Sequence, residues 1–352
     1  KAYEGREEEI NTCIACNQAC LDHTFTGQEV SCLVNPRACH ETTLNYAATS
    51  SSKRIAVVGA GPAGLAYAVT AAIRGHRITI HEAAMEIGGQ FNLAKKIPGK
   101  EEFSETLRYF ENMIKLHKIE LRLGVHATKE QLLNESYEKI VVATGIRPRE
   151  AAIEGISHPS VLTYIEAINS PHKVGNRVAI VGAGGIGFDV AELIMHRGPS
   201  ASLDVEVFAR EWGIDFENHP RGGVTGVQPV PIMSNKTVYL LQRKPSHMGK
   251  GLGKTTGWTH RISLARRGVK MLTGVTYRRI NESGFHISVN GEESCLAVDT
   301  IIVCAGQEPN RTLYDDLSIG GVDLDLVGGA YSALELDAKG AIYQATHLAA
   351  TT

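Results

Sequence analysis

Two glycine-rich turns with the same spacing place the strongest constraint on how this chain folds. They occur in "KRIAVVGAGPAGLAYAV" and "NRVAIVGAGGIGFDVAE", each between a strand-like apolar run and a helical pattern. Both match G-x-G-x-x-G, where the first glycine permits a tight turn, the second admits a pyrophosphate, and the third lets helix and strand pack closely. The helix N-terminus offers free N–H groups to the phosphates. The sequence therefore predicts two dinucleotide-binding units. Their glycines are Gly59, Gly61 and Gly64, and Gly182, Gly184 and Gly187.

The residue that ends the second strand distinguishes the two predicted units. In the first unit, Glu82 ends "HRITIHE" and can accept hydrogen bonds from ribose hydroxyls. In the second unit no acid ends a clear second strand, and the delayed strand "KTVYLLQRK" ends in Arg243 and Lys244. Cations there would bind a phosphate on the adenosine ribose, which favours NADP over NAD. Two alternatives remain: "DVEVFAR" (204–210) as the strand, which weakens the NADP prediction, or a solvated basic turn.

Two such units in one chain predict that one holds a flavin and the other a nicotinamide, with hydride passing between the cofactors. The predicted strands "KIVVATGIRP" (139–148) and "TIIVCAGQEPN" (300–310) lead into glycine turns at Gly145 and Gly306. Such turns let the backbone approach a cofactor, although plain strand ends are the alternative. Gln90 and Lys100, in "GGQFNLAKKIPGK", are candidates to reach the flavin, and an ordinary surface loop is an equally good interpretation.

Four of the seven cysteines form a C-x2-C-x3-C-x11-C pattern near the start of the chain. Three thiolates from one loop and a fourth from further along favour an iron–sulfur cluster. Structural zinc, which more often takes two separated pairs, and plain reduced thiols are the alternatives. The four candidates are Cys13, Cys16, Cys20 and Cys32. The remaining cysteines and the nearby His23 and His40 are interpreted as lying outside the ligand set.

Composition excludes several classes of function. A chain of 352 residues is long enough for about two domains, and a formal net charge of −2 gives no bias toward nucleic acid. The longest apolar runs have strand length and fall short of the roughly 20 residues that a membrane span needs. No signal peptide is visible, so we expect a cytoplasmic protein without a membrane partner. The first residue is Lys rather than Met, which suggests a fragment.

Taken together, these motifs resemble the C-terminal portion of bacterial-type NADPH-dependent 2,4-dienoyl-CoA reductase, in the trimethylamine dehydrogenase and old yellow enzyme-related group of iron–sulfur flavoproteins. The resemblance runs from about residue 11 to 350 and rests on strings such as "CNQACLD", "CLVNPRACHE", "EIGGQFN", "VGAGGIGFD", "LLQRK" and "CAGQEPN". It implies a 4Fe-4S cluster on the four cysteines, FAD on the first unit and NADPH on the second. Beyond the motif glycines, it assigns to FAD the residues Ala63, Glu82, Gln90, Lys100, Ala127, Gln307, Gly328 and Gly329. Gly329 stands where many related flavoproteins carry Asp.

The resemblance also implies a function. In the family, an N-terminal (β/α)8 barrel with FMN precedes the cluster and reduces the dienoyl-CoA. This sequence begins where that barrel ends, so no acyl-reducing catalytic residue has a position here. The implied role is electron entry, from NADPH through FAD and the cluster to FMN in a barrel fused upstream. The implied pathway is β-oxidation of unsaturated fatty acids.

Two other functions stay open at this point. One is a stand-alone NADPH:acceptor flavoprotein that resembles the small subunit of glutamate synthase. The other is a zinc-stabilised nucleotide-binding scaffold without catalysis. A disulfide reductase is disfavoured because no C-x-x-C lies inside either nucleotide unit.

The order of elements predicts an α/β protein with two Rossmann-like domains behind a small cysteine-rich segment. The expected boundaries are 1–50 for the iron–sulfur segment, 51–165 and 306–352 for the FAD domain, and 166–305 for the NADP domain. Two further local patterns are clear. "GVTYRRINESGFHISVNGEESCLAVD" alternates around an Asn-Gly turn and predicts a β-meander. Residues 101–119 have helical spacing.

Overall fold

Parallel β-strands dominate the computed structural model, which describes residues 1–219, 221–223, 226–334 and 337–352. The strands are β1 (Arg54–Val58), β2 (Arg77–Glu82), β3 (Glu120–Leu123), β4 (Lys139–Val142), β5 (Ile146–Pro148), β6 (Val161–Thr163), β7 (Arg177–Val181), β8 (Thr237–Leu241), β9 (Lys270–Leu272), β10 (Val275–Asn281), β11 (Gly284–Val289), β12 (Glu292–Leu296), β13 (Thr300–Val303), β14 (Gln307–Pro309) and β15 (Asp323–Leu326). The α-helices are α1 (Leu21–Thr24), α2 (Pro62–Ile73), α3 (Phe91–Ala94), α4 (Phe103–Leu116), α5 (Lys129–Asn134), α6 (Tyr164–Asn169), α7 (Gly185–Met195), α8 (Val205–Trp212), α9 (Gly257–Arg266), α10 (Thr312–Leu317) and α11 (Ala338–Thr351).

The chain divides into two units. Unit 1 comprises Lys1–Asn92, Glu102–Arg147 and Gln307–Thr352, and unit 2 comprises Leu93–Glu101 and Pro148–Gly306. No helix in the described ranges is both long enough and apolar enough to cross a membrane.

Unit 1 is built on a five-stranded parallel sheet in the order β15-β4-β1-β2-β3. Alternate side chains of β1 enter different cores, since Ile55 and Val57 pack with α2, α4 and α11, whereas Ala56 and Val58 pack with Leu132 and Leu317 on the other face. A sheet covered on both faces needs apolar residues throughout its strands, which explains the continuous apolar run at β1. The carboxyl ends of the strands therefore remain at one edge for a ligand.

Unit 2 repeats this arrangement with a five-stranded parallel sheet in the order β6-β13-β7-β8-β9. Val178 and Ile180 of β7 face the helix-covered core, and Ala179 and Val181 face a second core under the antiparallel sheet β10-β11-β12. That sheet confirms the predicted meander. Its Asn-Gly turn has positive φ at Asn290 (52°) and Gly291 (87°), as a tight hairpin requires.

The competing strand at 204–210 is wrong, because these residues lie in helix α8. Asp204 caps that helix, with its carboxylate accepting from the N–H groups of Glu206 and Val207 at 2.9 and 3.0 Å. Gly213 ends it with a left-handed φ of 72°. The delayed strand is confirmed as β8, which pairs in parallel with β7. The predicted helix within 101–119 is confirmed as α4.

The cysteine segment, residues 1–50, has little regular structure and is held to unit 1 by buried apolar residues and by Arg108. Ile14, Leu33 and Val34 join the core beneath α2 and α4. The Arg108 guanidinium donates to the carbonyl oxygens of Glu8 (3.2 Å) and Ile10 (3.1 Å). These contacts fix the chain immediately before the first of the clustered cysteines.

A buried charge group lies between α7, α8 and the end of α9. Arg267 donates to Glu192 at 2.7 Å and to both carboxylate oxygens of Glu211 at 3.0 Å. Burial raises the pKa of Glu192 to about 7, although Arg267 acts in the opposite direction. The pKa of Glu192 is therefore higher in the folded than in the unfolded chain. The contribution of this carboxyl to the free energy of unfolding is fully present at pH values below its pKa in the unfolded chain, and it is lost as pH rises through about 7.

Glu192→Gln should reduce this loss of stability with pH. Between about pH 5 and 8 the free energy of unfolding should fall further in the parent chain than in the variant, by up to about 3 kcal/mol for a shift of this size. Urea unfolding followed by tryptophan fluorescence measures it, because both tryptophans, Trp212 and Trp258, lie in unit 2. Equal pH dependence in the two proteins would contradict the prediction.

Candidate functional site

The glycine turn of unit 1 joins β1 to α2 and is sterically closed to larger residues. Gly59 has φ +109°, and a Cβ atom there would overlap the carbonyl oxygen of Ala143 in the loop after β4. A Cβ atom at Gly64 would overlap the carbonyl oxygen of Gly59. The first and third motif glycines are therefore required by the packing of the chain itself.

The turn of unit 2, between β7 and α7, has the same geometry. Gly182 has φ +107°, and a Cβ atom there would lie 2.6 Å from the carbonyl oxygen of Cys304 in the loop after β13. A Cβ atom at Gly187 would overlap the carbonyl oxygen of Gly182. The two glycine turns, although far apart in sequence, thus make the same close contacts between strand, turn and helix.

The middle glycine of each motif faces open space. Gly61 and Gly184 are the N-cap residues of α2 and α7. A Cβ atom at Gly184 would meet no atom within 4 Å, and one at Gly61 would meet only the Gly89 Cα, at 4.0 Å. The packing of the chain does not require glycine at these two positions. A pyrophosphate that approaches the helix N-terminus does require it, because a side chain there would block the approach.

Glu82 lies beside the glycine turn of unit 1. Its carboxylate accepts from the N–H of Ala60, inside the turn, at 2.6 Å and from the N–H of Ala84 at 2.8 Å. The carbonyl oxygen of Glu82 accepts from the N–H of Val125 at 2.9 Å. This bond brings the segment that contains the buried Ala127 to the end of β2. Glu82 therefore stands where a ribose bound over the turn would meet its carboxylate.

The register shows that Gln242 is the counterpart of Glu82 in unit 2, which the sequence analysis missed. Gly59 N–H donates to the residue before Glu82, and Gly182 N–H donates to the residue before Gln242, at 2.8 and 3.0 Å. The Gln242 side chain donates to the carbonyl oxygens of Lys244 (2.9 Å) and Ser246 (2.7 Å). A neutral amide thus replaces the acid and holds a turn that presents the exposed Arg243 and Lys244.

The return segment of unit 1 reaches the start of α2. Gly328 packs so closely on Ala63 that a Cβ atom at Gly328 would lie 2.6 Å from the Ala63 Cβ. The Gln344 side chain fixes this turn by accepting from the Gly328 N–H at 2.7 Å. Gly329 is buried in the same turn. The neighbouring stretch "DLVGGAYSALELDA" also includes residues 335 and 336, which lie outside the described residues.

The other predicted flavin residues are more dispersed. The carbonyl oxygen of Gly145, just before β5, accepts from the N–H of Asn310, just after β14, at 2.9 Å. Gln307 is the first residue of β14. Gln90 is exposed at the turn before α3. Gly306 and Lys100 belong to unit 2, where the Lys100 ammonium lies 2.6 Å from each carboxylate oxygen of Asp189 on α7. Contact of these residues with a flavin stays a prediction.

The four clustered cysteines are free thiols, partly buried except for the exposed Cys13. Burial raises the pKa of the Cys16 thiol, and hydrogen bonding from the Gln18 backbone opposes this effect. The charges that raise it further are those of Cys32, Cys20 and Cys13. The Ala15 N–H also points to the Cys13 sulfur at 3.4 Å. Backbone N–H groups are thus directed at two of the four sulfurs, those of Cys13 and Cys16.

The four cysteines agree in number and chemistry with the ligands of a thiolate-bound group, but their side chains do not lie close enough together in this structure to hold one. Within the described ranges, no three histidine, cysteine or acidic side chains are grouped closely enough to hold a metal ion. Three thiols on one loop and a fourth from further along, with backbone N–H donors to two of the sulfurs, are nevertheless the kind of ligands that iron–sulfur clusters take.

Comparison with known families decides the class of the protein. Residues 53–336 match the pyridine nucleotide-disulphide oxidoreductase family, and the match includes both glycine turns. The chain belongs to this family. It is therefore an oxidoreductase whose family implies flavin and NAD(P) binding.

Several relatives of this oxidoreductase are reductases. A metal reductase of Desulforamulus reducens is 32% identical over 94% of this chain and 49% of its own length. A cinnamate reductase of Clostridium sporogenes is 24% identical over 94% of this chain and 44% of its own length. The structure of a 2-naphthoyl-CoA reductase complex matches with a TM-score of 0.84 at 27% identity, covering 100% of this chain and 48% of that one. The chain thus spans about half the length of these relatives, which contain a further part.

Proposed function

We propose that this chain is the electron-entry part of an NADPH-dependent iron–sulfur flavoprotein that reduces 2,4-dienoyl-CoA in the β-oxidation of unsaturated fatty acids. The observation that carries the proposal is the contrast between two otherwise equal turns. Glu82 stands beside the first, and Gln242 with Arg243 and Lys244 stands beside the second. A carboxylate suits free ribose hydroxyls, whereas a neutral amide with two cations suits a ribose 2′-phosphate. We therefore assign FAD to unit 1 and NADPH to unit 2.

The residues of the two turns divide the work of binding. Gly61 and Gly184 leave room for a pyrophosphate, and the N-termini of α2 and α7 would direct backbone N–H groups at it, from Ala63 onward in α2 because Pro62 has none. Glu82 would hold the adenosine ribose in unit 1, and Arg243 would neutralise the phosphate in unit 2. When bound, the flavin supplies a hydride acceptor and a thiolate-ligated cluster supplies one-electron transfer.

We assign the 4Fe-4S ligands to Cys13, Cys16, Cys20 and Cys32, on the strength of their sequence pattern and of the N–H groups directed at the Cys13 and Cys16 sulfurs. The acyl-CoA site and an FMN-containing barrel belong in this proposal to a further domain, because the chain spans about half of its relatives. The names of two relatives support a reductase of conjugated acyl groups, since one is a cinnamate reductase and the other acts in complex with a coenzyme A thioester.

Anaerobic titration tests the role of electron entry. The chain, purified with its flavin, should lose its flavin absorbance on addition of about one equivalent of NADPH, since one hydride reduces one flavin. Dithionite serves as the control for a reducible flavin. Bleaching by dithionite but by neither nicotinamide would overturn the proposal.

Arg243→Glu should weaken NADPH binding about 10- to 100-fold, the equivalent of one charge-assisted hydrogen bond. NADH binding should change little, because NADH lacks the 2′-phosphate. Flavin bleaching at varied nucleotide concentration measures both affinities. Lys173→Glu is the matched control, since this exposed cation lies before β7 begins, at the other end of the sheet. Equal losses of affinity for NADPH and NADH in the Arg243 variant would show that Arg243 does not bind the 2′-phosphate.

A further inference from the structure

A cysteine, a histidine and an arginine stand in one row across the antiparallel sheet of unit 2, outside both glycine turns. Cys295 on β12 is the register partner of His286 on β11, and His286 is the register partner of Arg279 on β10. Directly opposed residues in an antiparallel pair place their side chains on one face, with Cβ atoms about 4.5–5.5 Å apart. The Cys295 thiol is free and exposed. The sheet therefore presents a nucleophile beside two basic groups.

His286 lies between this sulfur and the turn at Asn281 and Ser283. Its Nε2 lies 3.8 Å from Cys295 Sγ and 3.1 Å from Asn281 Oδ1. The Ser283 backbone N–H and hydroxyl both donate to that Asn281 oxygen, at 3.0 and 2.7 Å, and the hydroxyl oxygen lies 3.0 Å from Nε2. His286 Nε2 therefore carries a proton that faces these two nearer oxygens and is donated to Cys295 Sγ only when a thiolate competes for it. The neutral thiol instead donates to the Ser283 carbonyl oxygen at 3.4 Å.

A β-bulge in β10 places a second arginine, Arg278, next to Arg279. The register of β10 against β11 shifts between Tyr277 and Arg279, which makes Arg278 the extra residue. A bulge re-aims side chains, and here both arginines line the same cleft of about 570 Å³ as Cys295. Glu154 and Glu293 line it as well. Arg278 Nε lies 3.9 Å from Glu293 Oε1, in an exposed and weak ion pair.

We propose that this cleft is a thiol–disulfide exchange site for a small, amino-acid-derived disulfide that carries both carboxylate and ammonium groups. Arg278 and Arg279 match the carboxylates, and Glu154 and Glu293 match the ammonium groups. The Cys295 thiol loses its proton to water, and the thiolate is held by the His286 N–H. Its sulfur forms a bond to one sulfur of the disulfide as the original S–S bond breaks. The leaving sulfur departs with the bonding electron pair and takes up a proton, so the products are a mixed disulfide on Cys295 and one free thiol.

Peptide mapping by mass spectrometry tests this site on the full, flavin-loaded chain. Glutathione disulfide should modify Cys295 about tenfold faster than Cys39, which is also exposed, an advantage of the size that charge complementarity gives to encounter rates. Bis(2-hydroxyethyl) disulfide, which has no charge, should show a smaller preference for Cys295. Equal rates at Cys295 and Cys39 with glutathione disulfide would overturn the proposal.

Two variants separate recognition from thiolate stabilisation. Arg279→Glu changes an exposed side chain and should slow glutathione disulfide while leaving the uncharged reagent unaffected. His286→Ala should slow both reagents at Cys295 and neither at Cys39. An Arg279→Glu variant that reacts with both reagents as the parent chain does, or is slowed equally with both, would contradict recognition by charge. A His286→Ala variant that reacts at the parent rate would contradict the role of the imidazole.

Discussion

Gly184→Val is expected to weaken NADPH binding about 10- to 100-fold, because placing a side chain against a bound group costs about 1–3 kcal/mol. Flavin content and the free energy of unfolding should stay unchanged. A Cβ atom at Gly184 meets no atom of the chain within 4 Å, and its backbone is extended, so a side chain starts there in open space and without backbone strain. The loss of affinity would therefore come only from the nucleotide that approaches the start of α7.

Neighbouring glycines provide the matched controls. Gly185, one residue further on, also meets no atom within 4 Å, and Gly185→Ala should bind NADPH within about twofold of the parent chain. Gly187→Ala, in contrast, places its Cβ atom on the Gly182 carbonyl oxygen and should lower the free energy of unfolding. Fluorescence titration with NADPH and urea unfolding measure the two quantities. A Gly184 variant with parental affinity would show that no pyrophosphate lies over this turn.

The glycine turns were predictable because most of their requirements are local. The positive φ of Gly59 and Gly182 and the contacts that Gly64 and Gly187 make with these two glycines arise within one short motif. The hairpin at Asn290 was predictable for the same reason. The contacts of Gly59 with Ala143 and of Gly182 with Cys304 are long-range and could not be predicted from that motif.

Gln242 was missed, and the contact between Lys100 and Asp189 was not foreseen, because both depend on long-range packing. The insertion that contains α8 separates β8 from α7, so only the parallel register with β7 identifies Gln242 as the counterpart of Glu82. Ile97 is buried in the core of unit 2, and Lys100, three residues later, contacts Asp189 on α7. The contact of Lys100 with a flavin stays a prediction.

The spacing of the four cysteines predicts which thiols share a loop and leaves the positions of their sulfurs open. The left-handed backbone at Ala15 (φ 53°) and Asn17 (φ 58°) bends that loop on both sides of Cys16. The Ser31 N–H donates to the Ala19 carbonyl oxygen at 2.7 Å and brings the later segment alongside. Final sulfur positions depend on the group they bind, because deprotonated ligands repel one another until a cation holds them.

Cys16→Ser is expected to abolish cluster binding. Iron and acid-labile sulfide should fall from about four of each per chain to near zero, since a 4Fe-4S cluster needs a thiolate at each corner. Flavin should remain bound and reducible by NADPH, because neither glycine turn involves this loop. Cys16 is the most informative position, because it lies between Cys13 and Cys20 on the loop and is partly buried against the core of unit 1.

Cys39→Ser is the matched control for this substitution. Cys39 is exposed, lies in the same segment and stands outside the predicted ligand set, so its iron and sulfide content should equal that of the parent chain. Metal and sulfide analysis of all three proteins, purified without oxygen, makes the comparison. Iron retained after Cys16→Ser would rule out this ligand set. Zinc without sulfide in the parent chain would replace the redox role of the four cysteines with a structural one, because zinc has no redox chemistry.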